Sequence, residues 1–65
     1  MTELYDVVIV EIATQKVEAV IGTNLTAERA ERREMTGISR INDNFYVGTV
    51  KAGSHKVGDK ISKGR

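Results

Sequence analysis

The sequence predicts a small α+β fold, an antiparallel sheet of strand order 2-1-3 with one helix packed on one face. Three observations lead there. Leu4 to Ile12 is apolar at both sets of alternating positions, the pattern of a central strand covered on both sides. Only one run, starting at Thr26, has strong helix-forming composition. The remaining apolar stretches are short, rich in Val and Ile, and separated by turn residues.

The first strand turns Tyr5, Val7 and Ile9 one way and Leu4, Val8, Val10 and Ile12 the other. Ala13-Thr14-Gln15-Lys16 reads as a turn, and Lys16 to Ile21 as a second strand that completes a hairpin. Gly22-Thr23-Asn24-Leu25 is expected to leave the sheet. Thr26 is a suitable N-cap, because its hydroxyl can accept from a backbone N–H two or three residues on.

The helix is expected to run from Thr26 to about Asn42. Ala27, Ala30, Ile38 and Ile41 share one face at 100° per residue. Gly37 then lies inside the helix at a cost of about 1 kcal/mol relative to alanine, where it permits close approach to the sheet. A stop at Gly37 is the alternative. Asn42-Asp43-Asn44 supplies turn residues. Phe45 to Lys51 is a third strand, pairing beside the first. Lys56 to Ile61 is a possible fourth, short edge strand, and residues 62–65 read as a frayed tail.

The chain is one domain of 65 residues, 40% apolar and 29% charged. That is too apolar for a disordered tail and too charged for a membrane span. With no cysteine, disulfides, thiolate metal sites and cysteine nucleophiles are excluded. A core this small rarely supplies more than about 3–5 kcal/mol. Since one helix covers only one face of the sheet, a homodimer is expected to bury the other. The first 22 residues hold four carboxylates against Lys16. The last 23 hold five cations against Asp43 and Asp59. The net charge of +1 is far below that of a dedicated nucleic-acid binder.

Arg29, Arg32, Arg33 and Arg40 fall within about 100° on the helical wheel, with Thr36 among them. Guanidinium groups so arranged suit phosphates or an acidic protein surface through bidentate contacts. The same residues also read as a solvated face, partly neutralised by Glu28, Glu31 and Glu34. Glu34 falls on the predicted core face, where a carboxylate needs a lysine, the sheet rim or a subunit interface. His55 has no second ligand at metal spacing and no readable triad partner. The dispersed glycines match no phosphate-binding fingerprint. The aromatics Tyr5, Phe45 and Tyr46 read as core, with Tyr46 the one expected at the surface. No metal, cofactor or catalytic residue is expected.

Four segments carry a resemblance. Tyr5-Asp6-Val7-Val8-Ile9-Val10, then Asn24 to Arg33, then Ile41-Asn42-Asp43-Asn44-Phe45-Tyr46-Val47 resemble small accessory proteins of tailed phages and prophages, as does Val57-Gly58-Asp59-Lys60-Ile61. The resemblance implies a protein that binds a host or defence factor, anti-CRISPR inhibitors included. With no catalytic motif and no signal peptide or span, the chain is expected to be a non-enzymatic cytoplasmic protein that inhibits or modulates such a complex by surface contact. A nucleic-acid-binding regulator, or a dimer sequestering an anion such as a nucleotide, are the alternatives.

Overall fold

A computed structural model describes residues 3–61. Strand β1 (Tyr5–Glu11), strand β2 (Lys16–Leu25), helix α1 (Ala27–Ile38) and strand β3 (Phe45–Lys51) follow in that order. The sheet is antiparallel with order β2-β1-β3, as the doubly apolar first strand predicts. Val7 on one face of β1, and Val8 and Val10 on the other, are all at 0% exposure.

The second strand is longer than its hydrophobic pattern. It continues through Leu25, so Gly22-Thr23-Asn24-Leu25 stays in the sheet. Three register shifts let its ten residues pair with the seven of β1. Asn24 adopts φ 52°, left-handed backbone that asparagine tolerates better than most residues. Its N–H donates to the Asp6 carboxylate at 3.0 Å. Asp6 is 5% exposed and also accepts from Gly53 N–H at 3.0 Å. A buried carboxylate needs such donors, and here they tie the end of β2 and the turn after β3 to one side chain.

Helix α1 begins as predicted, with Thr26 Oγ1 accepting from Arg29 N–H. It ends at Ile38, not near Asn42, with Ser39 as C-cap. Gly37 lies inside it and is buried. A Cβ on Gly37 would come within 2.6 Å of Ile21 Cδ1 and 3.1 Å of Val47 Cγ2. Close approach to the sheet is therefore what the glycine provides. The inward face runs through Ala30, at 1% exposure, and Gly37. Ala27 and Ile38 are exposed, Ile38 at 58%. The wheel drawn from the larger apolar residues is rotated, because a glycine in contact with the sheet leaves no hydrophobic signal.

The face of the sheet opposite the helix holds Val8, Val10 and Val17, with Val20, Tyr46, Val50 and Ile61 packed against them. Tyr46 is half-buried there and not at the surface. The chain after β3 closes this face. Ala52 N–H donates to Leu4 C=O beside the start of β1. Gly58 and Asp59 exchange hydrogen bonds with Val17, and Ile61 N–H donates to Gln15 C=O, at the start of β2. The chain between crosses the valine face as a strap. The fourth strand expected over Lys56–Ile61 is not formed, and this stretch contributes only a single bridge, Lys16 to Lys60. The burial expected from a second copy is thus supplied by the chain's own strap. The expected frayed tail at 62–65 lies outside the described residues.

Candidate functional site: an arginine flank on the helix

The twelve residues of α1 expose two chemically different flanks. The flank over β2 carries the arginines. The aliphatic stem of Arg33 lies close enough to Gly22 that a Cβ there would meet Arg33 Cγ at 3.2 Å. Long cationic side chains commonly bury their stems this way and keep the charge in water. Leu25, Arg29, Arg32, Arg33 and Thr36 line an open depression of about 350 Å³. A smaller one adjoins it through the shared Arg33 and Thr36, and adds Ile9, Ile21, Gly37 and Arg40. All five residues picked from the wheel, Arg29, Arg32, Arg33, Thr36 and Arg40, are therefore brought together and exposed.

The flank over β3 carries the acids. Glu28, Glu31 and Glu34 line a groove of about 470 Å³ with Tyr5, Ala27, Ala30 and Thr49. Glu34 stands at the sheet rim and accepts from Thr49 Oγ1 at 2.8 Å. The acids thus gather mainly on the other side of the helix, with Glu28 one turn before Arg32, and none forms an ion pair with an arginine among the described residues. Among the described residues the one ion pair is Lys51 to Glu3, at 4.0 Å. The four guanidinium groups have no carboxylate partner within the same set. Thr36 Oγ1 donates to Arg32 C=O, so its hydroxyl proton is used.

Sequence reasoning missed Met35 and the exposure of Ile38. Met35 is 69% exposed and follows Glu34 on the acidic side. The signal lay in its wheel position next to Glu31, away from Ala30. His55 is half-buried and its Nδ1 lies 2.8 Å from Ser54 Oγ. Ser54 Oγ also donates to Lys51 C=O. Among the described residues no group of three or more His, Asp or Glu is placed to hold a metal ion, and no helix is long and apolar enough to cross a membrane.

What fold and flank define together is a small α+β chain presenting unpaired arginines beside an apolar floor. Comparison with protein-family models, curated protein sequences and solved structures finds no match to this chain.

Proposed function

We propose that this chain is a non-enzymatic binding module, acting as a dimer, that modulates or inhibits a larger protein or ribonucleoprotein complex through the arginine flank. A role against a host or defence complex follows from the resemblance to phage accessory proteins. The observation that carries the binding surface is that, among the described residues, no carboxylate pairs with Arg29, Arg32, Arg33 or Arg40. Guanidinium groups left unpaired on a solvent flank are ready for bidentate contacts to an anionic surface. Ile9, Ile21 and Leu25 beside them add an apolar floor, which favours a protein surface over a bare phosphate backbone.

The test uses the Arg32→Glu/Arg33→Glu variant. Both side chains are exposed, and exposed charges contribute little to stability, so its melting temperature should stay within a few degrees of wild type. Capture of a partner from nuclease-treated bacterial lysate should be lost in the variant, at a cost of about 2 kcal/mol or more. A partner that disappears on nuclease treatment, with affinity falling steeply as salt rises, would transfer the reading to nucleic acid. Unchanged capture by a folded variant would remove the flank from the mechanism.

A further inference from the structure

The two edges of the sheet differ. Along β2 the pairing is interrupted by three register shifts, and its start is bonded to Gly58 and Asp59. Bulges and covering segments are the usual protections of a sheet edge. Strand β3 has neither. It pairs with β1 in unbroken register from Phe45 to Lys51, and contains no proline and only one charge, Lys51 at its end.

The groups left open on that edge can be identified. Ile12 N–H donates to Asn44 C=O and Ala52 N–H donates to Leu4 C=O, so even-numbered residues of this segment point their backbone groups at β1. By alternation, residues 45, 47, 49 and 51 point theirs outward. Two of these groups are used locally: Phe45 N–H by Asn42 C=O, and Lys51 C=O by Ser54 N–H. Both groups of Val47 and of Thr49, with Phe45 C=O and Lys51 N–H, remain open among the described residues.

We propose that two copies of this chain pair antiparallel through their β3 edges, with Gly48 on the two-fold axis. In that register Val47 faces the partner's Thr49, and each exchanges both hydrogen bonds. Lys51 N–H meets the partner's Phe45 C=O. Every open group finds a partner, and the two groups that would face each other to complete that pair, Phe45 N–H and Lys51 C=O, are those already used at home. An isologous interface requires this self-complementarity. Tyr46 stands opposite the partner's Val50, an aromatic and β-branched pair of the kind that stabilises sheets.

One further observation bears on this edge. The exposed Ile38 lies on the helix flank above β3, one turn after Glu34, whose bond to Thr49 marks that side, and the exposed Met35 stands nearer the helix crest. A two-fold axis perpendicular to the sheet keeps both helices on one side and turns these flanks towards each other.

The inference rests on the dimer named in the proposed function but not on the arginine flank. Glu31 and Glu34 of both copies would gather along the seam, so screening by salt should tighten the dimer. Salt should weaken arginine contacts to an anionic partner, which separates the two readings. Sedimentation equilibrium of the wild-type chain should report twice 7.2 kDa as concentration rises. Amide exchange should show concentration-dependent protection at Val47, Thr49 and Lys51. Thr49→Pro removes an N–H the single chain does not use, and should return the mass to 7.2 kDa. Thr49→Val keeps that N–H and should remain dimeric. Should the proline variant fail to fold, Met35→Glu/Ile38→Glu changes only exposed side chains and should weaken the dimer at least tenfold. A monomer at every concentration, or a dimer that protects none of the three amides, would overturn the proposal. Arg32→Glu/Arg33→Glu should leave the dimer intact.

Discussion

The two faces of the sheet are closed by different means. On one, the regular helix α1 brings Ala30 and Gly37 down onto the strands. On the other, an irregular strap does the same work and leaves Val8 and Val10 as inaccessible as Val7. The strap succeeds because its backbone groups are partnered along its course, by Leu4, Asp6, Gln15 and Val17. Covering an apolar surface does not require secondary structure. It requires that the cover's own polar groups be satisfied.

The largest effect expected bears on the strap face. Val8→Asp would bury an unpaired carboxylate, and the cost exceeds the roughly 3–5 kcal/mol that a core of this size supplies. Circular dichroism should show an unfolded chain. A folded Val8→Asp variant would mean that the strap lifts readily and that the two faces are not equals.

Asp6→Ala sharpens the comparison more gently. It leaves the N–H groups of Asn24 and Gly53 without their acceptor, at about 1–3 kcal/mol for each donor that stays buried. Urea denaturation should report the loss, and the Gly53 amide should exchange faster than amides of the helix. Equal acceleration on both sides would show the two covers opening as one unit.

Gly37→Ala probes the helix face and is the smallest effect. Alanine gains about 1 kcal/mol of helix propensity but presses against Ile21 and Val47, and overpacking costs about 1–3 kcal/mol. A net loss of about 1 kcal/mol is expected in thermal melts. A gain would reveal slack between helix and sheet.

Sheet order was legible because β1 declares its central position by local composition alone. The arginine flank was legible for the same reason, since a helical wheel depends only on spacing. What could not be read depended on distant partners. Strand β2 continues past Gly22 because Asn24 finds the carboxylate of Asp6, a residue in another strand. The strap was missed because Lys56 to Lys60 acts through its backbone and leaves its one large apolar side chain, Val57, exposed, so that Ile61 is its one side chain in the valine cluster. The rotation of the helix was missed because its closest contact is made by a glycine.

The strap also governs when the protein can fold. Its closing hydrogen bonds join Gln15 and Val17 to Ile61 and Asp59, more than forty residues further along the chain. Contacts of such long sequence separation carry loop-closure entropy and slow folding. During synthesis the hairpin and helix can form early, but the valine face stays uncovered until Ile61 has been made and is free to reach back. For that interval Val8, Val10 and Val17 form a sticky surface on a nascent chain, the kind of exposure that draws chaperones or promotes aggregation. A chain truncated before Asp59 would remain in that state.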